Sequence, residues 1–527
     1  KESLSLFESE MVNIEYDEDI FKALVDYQSK NEILDGSSKK LLEDKIRNYK
    51  RMGLALDKDK REKLISNIKR ISELSLKFDK NINDYHDFIL VKKSELKGLS
   101  NSYKANLKQN ENGLYEISLE YPEYIPFMRE AQSHEKRQEL MDKYLLKGGE
   151  ENIEIIKEII HLREENASLL GYTSHVDFET EICMAKNSQT VFSFLEDLGV
   201  KVDSLLKNEI DSLNELKRKT IEDINAEVDF YDINYYFNEY LKNHYDINQA
   251  ELSEYFPLDV VTKGRFNIYC HLFNIAFERT SLYPPWHDEV EVYNIKNDAN
   301  EIIAVFLFDL FPRKNKYSHA CVSPIIYGES NVDESYIVPV CAMLANFSKP
   351  SKDFPTLLSH REVQTLFHEF GHVMHFSLTT SKYASQSGFR TVRDFVEAPS
   401  QMLENWVWEE EILNIISGHY KNPNKKLPKT TIENLINSKK FGEGLNNMQQ
   451  IVYALYDFTL HMQVPNDLNK CYSDLYEKYM KIKMPKHLRA AGFGHLTGYD
   501  AKYYSYLWSE VYASDMFQQF KINGLLN

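Results

Sequence analysis

The chain of 527 residues carries 81 acidic against 63 basic side chains, a formal net charge of −18. That excess argues against a nucleic-acid partner, whose phosphates require a concentrated basic surface, and no apolar run approaches the roughly 18–20 residues that span a bilayer. With 43% hydrophobic and 27% charged residues the composition is globular, and five scattered cysteines without a CxxC pair fit free thiols in a reducing, cytoplasmic setting.

The first residues, KESLSLFESE, show neither an initiator Met nor a basic-then-apolar signal pattern, as expected of a fragment of a longer chain. Apolar residues then recur at three-to-four spacing, as in EENIEIIKEIIHLREENASLLG and TVFSFLEDLGVKVDSLLKNEIDSLNELKRK, which predicts a mostly helical region over 1–288. Between 289 and 347 the pattern changes. EVEVYNI, AVFLFDLF, HACVSPIIYG and YIVPVCAMLANF are short β-branched and aromatic runs between polar turns, the one convincing sheet. After the Pro- and Ser-rich SKPSKDFPTLLSH, helical periodicity returns and continues through a second region, 289–527. The expected fold is mainly α with a small β-sheet, and no repeat or low-complexity linker marks a sharp boundary.

The stretch TLFHEFGHVMHFSL, residues 365–378, holds three histidines and a glutamate. On a helix His368 and His372 project from one face about a turn apart, the geometry of two Zn²⁺ ligands. Glu369 points roughly 100° away, where the glutamate of an HExxH site works as general base. The motif arises by accident in roughly a few per cent of chains this size, so a third ligand is required. His375 shares the face, but one straight helix cannot wrap a tetrahedral ion, so a packing or hydrogen-bonding role is expected for it. The metzincin spacing is absent, because His375 and Leu378 stand where that motif has Gly and His.

A carboxylate from a second helix is offered by RDFVEAPSQMLENWVWEEEIL, with Glu397 following His372 by 25 residues. Pro399 suits a first helical turn, and Asp394 is expected as its N-cap. Glu397, Gln401, Glu404 and Trp408 form one stripe, and a polar stripe in so apolar a helix needs a buried partner. Two His and one Glu with an open fourth position is the catalytic zinc pattern of thermolysin type, one ion per chain.

FHEFGHVMH followed by RDFVEAPSQMLENWVW resembles the thimet oligopeptidase family of zinc peptidases. ISLEYPEYIPFM, REENASLLGYTSHVDF, LSEYFPLDVV, FDLFPRKNKYSHA, AMLANFSKP and AKYYSYLWSEVYASDMF extend the resemblance, in family order, over nearly all of the chain. It implies zinc on His368, His372 and Glu397, with Glu369 as base. It also implies two helical lobes flanking a deep channel that admits short peptides, and an endopeptidase hydrolysing internal bonds as a cytoplasmic monomer. An edge strand, VPVCAMLANF, is expected to pair with the substrate backbone. The segment GFGHLTGYDAKYYSYLWSE supplies oxyanion donors, and if it is helical Tyr499, Tyr503 and Tyr506 share a face. The resemblance gives His495, Tyr503 and Tyr506 substrate and transition-state contacts and places Gly498 and Tyr499 in a substrate loop. That loop departs from the family pattern, with one glycine where two adjacent ones are usual. Arg393 has no role assigned. The chain also starts late and stops early against the family pattern. A non-catalytic peptide binder and a dipeptidyl carboxypeptidase are the alternatives.

Overall fold

The computed structural model describes residues 16–314, 316–317 and 319–526. Long helices dominate, as the periodicity predicts. Lys58–Asn83, Gly149–Leu169, Ser188–Ile221 and Glu443–Met462 form most of one lobe. In Gly149–Leu169 the buried face repeats through Ile153, Ile156, Ile160 and Ala167, a three-to-four spacing that closes against neighbouring helices. Asn187 caps Ser188–Ile221 by accepting the amide of Thr190. No described helix is long and apolar enough to cross a membrane.

Strands also occur before residue 289. Strands β1 (Phe88–Val91) and β2 (Tyr115–Ser118) pair antiparallel, and β3 (Ala276–Arg279) forms one edge of the main sheet. Four-residue runs such as FILV are too short for periodicity to separate from helix. The other strands are β4 (Glu291–Lys296), β5 (Ile302–Asp309), β6 (Cys321–Ile326), β7 (Glu329–Ser330), β8 (Tyr336–Ile337) and β9 (Val340–Leu344).

The main sheet runs β3-β4-β5-β9-β6, with β9 parallel to β5 and antiparallel to β6. This corrects the expectation for VPVCAMLANF. Strand β9 is interior, its backbone bonded on both sides, and β6 is the terminal strand on that side.

Among the described residues two large apolar cores form, with a small third of Val290, Val292, Val305, Leu307 and Ala342 on the sheet, and the chain passes between the two large ones. The first joins Phe78, Ile156, Leu195 and Leu206 to Leu455 and Tyr504. The second joins Ile268, Phe306, Met343 and Phe367 to Trp406 and, from the last helix, Phe517. Helix His360–Ser377 therefore packs on the sheet in the second core, whereas most of the tyrosine segment belongs to the first. Cavities of about 460, 730 and 590 Å³ follow one another between them. His368 and Tyr506 line the first two cavities, and Arg129, Arg361 and Thr365 the second and third.

One core position carries a testable cost. Arg265 is fully buried, its Nε and Nη2 have no partner, and Nη1 reaches only the Leu366 carbonyl at 3.5 Å. Its guanidinium lies 3.7 Å from the Phe370 ring centroid, with Phe266 and Phe308 at 5.0 and 5.1 Å. Stacking returns about 2 kcal/mol at a desolvated site, against several for burying an ion. Burial accordingly holds the Arg265 pKa down at about 9. Arg265→Met should raise stability by about 1–4 kcal/mol, read as a higher urea midpoint at unchanged slope.

Candidate metal centre

Helix His360–Ser377 starts in a capping box. Ser359 Oγ accepts the Glu362 amide and Glu362 Oε2 accepts the Ser359 amide. Its apolar face, Val363, Leu366, Phe367, Phe370 and Met374, is held in the second core, so His368, Glu369 and His372 come to the cleft wall. Glu397 immediately precedes helix Ala398–Glu404, whose first turn carries Pro399 as expected.

Asp394 is not the N-cap of that helix, which begins after Glu397. It is fully buried and accepts the amides of Met184 and Ala185 and the Tyr504 hydroxyl. A carboxylate enclosed this way satisfies amides of the other lobe, where a surface cap would satisfy its own helix.

The ligand atoms converge. Glu397 Oε2 lies 3.0 Å from His372 Nε2 and 3.3 Å from His368 Nε2. Ligands of a tetrahedral ion bound at 2.0–2.1 Å stand roughly 3.3–3.4 Å apart, so this two-nitrogen, one-oxygen set fits a divalent metal. Burial disfavours the Glu397 carboxylate, but the two imidazoles outweigh it and hold its pKa well below the usual range. Ser400 Oγ donates to the Glu397 carbonyl at 2.8 Å and to Oε2 at 3.3 Å.

Glu404 belongs to the centre too, a role beyond the stripe in which the sequence placed it. Its Oε1 lies 2.6 Å from His368 Nδ1, so it accepts the imidazole proton there and leaves Nε2 free for a metal. Gln401, of the same stripe, donates to the Tyr506 carbonyl at 3.0 Å, and Trp408 packs on His360. His375 lies outside the ligand cluster. Its Nδ1 is buried without a partner, and burial pushes its pKa down to about 4.

Glu369 is 6% exposed, and its Oε2 has no hydrogen-bond partner. Burial pushes its pKa above the ordinary carboxyl value. A buried, unpartnered carboxylate oxygen beside the ligand set is costly unless something in the cleft completes it.

Across the cleft stand His495, Gly498, Tyr499 and Tyr506. The Tyr499 hydroxyl reaches Glu397 Oε1 at 3.3 Å, and the Tyr506 hydroxyl lies 3.4 Å from His495 Nε2. Burial holds both phenols well above their ordinary pKa and pushes His495 down to about 4, so the phenols stay protonated and the imidazole neutral. Tyr503 is placed differently. Its ring packs behind His495, centroids 4.9 Å apart, against Phe493 and Tyr453, and it does not line the cleft.

Gly498 has open space where a Cβ would project and needs no special backbone, so glycine is not sterically required there. Its carbonyl accepts from Arg393, whose guanidinium stacks over Tyr499 at 4.3 Å, giving Arg393 a place the sequence left open. Tyr317, His319, Cys321 and Val322, from β6 and the segment before it, complete the wall. No periodicity distinguishes Tyr317 and His319, since they sit outside any helix or strand.

Comparison with known proteins follows the same outline. The profile of peptidase family M3 matches residues 127–527. The thimet-like oligopeptidase of Dictyostelium discoideum is 36% identical, aligning 97% of this chain with 79% of that protein. Saccharolysin of Saccharomyces cerevisiae is 33% identical, over 93% of this chain and 72% of that protein. The solved structure of PZ peptidase A with an inhibitor shares the fold at a TM-score of 0.55 and 15% identity, covering 96% of this chain and 75% of that one. With two histidines and a glutamate gathered at the cleft between its lobes, the chain belongs to peptidase family M3 and is a metallopeptidase.

Proposed function

We infer that the chain is a zinc-dependent endopeptidase of short oligopeptides, with Glu369 as general base. The observation that carries this reading is the unpartnered, buried Glu369 Oε2 beside three converging ligand atoms, facing a wall of phenols and an imidazole.

His368, His372 and Glu397 would hold the ion, which when bound supplies Lewis acidity and makes water a nucleophile at neutral pH. Glu369 takes the proton of the attacking water and passes it to the leaving amine. Tyr499 and Tyr506, kept protonated by burial, and neutral His495 donate to the oxyanion that develops. Tyr503 acts through His495, fixing the plane of its ring. Terminal strand β6 offers backbone pairing to an extended peptide, which tolerates varied side chains, and the walls of the cleft would limit substrate size. Gly498 and Tyr499 are the substrate-side residues of the opposite wall.

The test is a quenched fluorescent peptide of about ten residues, assayed before and after chelation and zinc add-back. Chelation should abolish cleavage, and stoichiometric zinc should restore it. Product masses should show an internal cut. Release of C-terminal dipeptides alone would overturn the endopeptidase assignment, and peptide binding without turnover by the zinc-loaded protein would overturn the peptidase reading.

A further inference from the structure

Behind the tyrosine segment runs helix Glu443–Met462, with Asp457 2% exposed near its end. Asp457 Oδ1 accepts the amide of Ala501 at 2.9 Å and Oδ2 that of Tyr503 at 3.0 Å. Ala501 has φ +56°, in the left-handed region that a residue with a Cβ occupies only at a cost, and it is fully buried. Some interaction must hold it there.

The support continues outward. His461 Nδ1 lies 3.0 Å from Asp457 Oδ1 and 2.9 Å from the Asp457 carbonyl, and its Nε2 lies 3.1 Å from Arg163 Nη1. An arginine only donates, so Nε2 accepts and Nδ1 carries the proton toward Asp457. One neutral tautomer satisfies both ends. Arg163 also donates to the Leu496 carbonyl at 2.7 Å and pairs with Asp500 Oδ1 at 3.1 Å. His175 Nε2 lies 2.6 Å from Asp500 Oδ2, and Lys502 pairs with Glu179.

His175, His461 and Asp500 bring ligand-type atoms within 4.8 Å of one another, which by residue type alone suggests a second metal site. Arg163 is bound to both His461 and Asp500, and a cation there would face its guanidinium. The cluster is thus a hydrogen-bonded clamp with its positive charge built in.

We propose that Asp457, backed by His461 and Arg163, is a positioning residue that holds Ala501 in its left-handed turn and thereby aims Tyr499 and Tyr506 at the metal cleft. The segment is pinned at Leu496, Asp500, Ala501, Lys502 and Tyr503, so the tyrosines are pre-set before substrate arrives. Only the kinetic part of this inference rests on the peptidase reading.

The experiment combines amide hydrogen exchange over residues 495–506 with peptide kinetics, using zinc-loaded wild type, Asp457→Asn and Asp457→Asn/Ala501→Gly. Asn keeps the volume of Asp but turns an N–H₂ toward one of the two amides. Exchange at Ala501 and Tyr503 should rise about 10–100-fold in the single variant, with kcat lower by a similar factor and KM and zinc content unchanged. Glycine at 501, free to adopt φ > 0, should recover part of kcat. Fast exchange of these two amides in wild type, or wild-type kcat in folded Asp457→Asn, would overturn the proposal. So would loss of kcat with an equal loss of exchange protection throughout the chain. Should wild type cleave no peptide, the peptidase reading falls, and the exchange measurement still decides the clamp.

Discussion

Replacing Glu369 by Gln should lower kcat for an oligopeptide by about 10²–10⁴-fold and leave the metal in place. The substitution keeps the shape of a side chain that is 6% exposed and removes the oxygen able to take a proton. The proposed ligand set of His368, His372 and Glu397 does not include it, so zinc content by elemental analysis should stay near one per chain. KM should change little, because the interaction lost is made mainly in the transition state. An unchanged kcat would remove Glu369 from the mechanism. Lost zinc would mean that Glu369 shapes the ligand set.

The second large effect comes from Gly371, inside the motif but without chemistry of its own. A Cβ there would lie 2.7 Å from Ser400 Cα, 3.2 Å from Ser400 Cβ and 3.3 Å from Leu403 Cδ1. The nearest obstacle is backbone, so helix Ala398–Glu404 must move for alanine to fit. That helix carries Ser400 and Glu404, which hold Glu397 and His368 in place, and displacing it spoils the ligand set from both sides. Gly371→Ala should therefore weaken zinc binding by about 10–100-fold, measured by competition with a chromophoric chelator. It should also cost about 1–3 kcal/mol of stability, read from the urea midpoint. The backbone at 371 has no positive φ, so the cost is steric and should grow from alanine to valine. Zinc affinity unchanged in the alanine variant would show that the two helices adjust independently.

Particular residues show how far local pattern reaches. The spacing His368, Glu369, His372 places two candidate ligands and a carboxylate on adjacent faces because a helix repeats every 3.6 residues wherever it sits. Glu397 stands out as the carboxylate at the head of a polar stripe, with Gln401, Glu404 and Trp408, on an otherwise apolar helix. In both cases the deciding geometry lies within one or two turns. Asp394 misled the same logic. A short acidic residue before a helix is ordinarily a cap, yet this one serves amides at 184 and 185, about 200 positions away.

The sequence by itself determined the helical character of most of the chain, the strand-rich stretch between 289 and 347, and the chemistry that its candidate ligand types favour, because burial periodicity and side-chain chemistry are properties of neighbouring residues. Tertiary structure alone decided that β9 is enclosed by β5 and β6, that Glu404 turns to His368, and that Tyr503 stands behind His495. It also decided that the tyrosine segment, anchored in one core by Asp457 and Arg163, faces the helix of His368 and His372 anchored in the other. Those outcomes depend on which distant surfaces bury each other, and no local spacing records that choice.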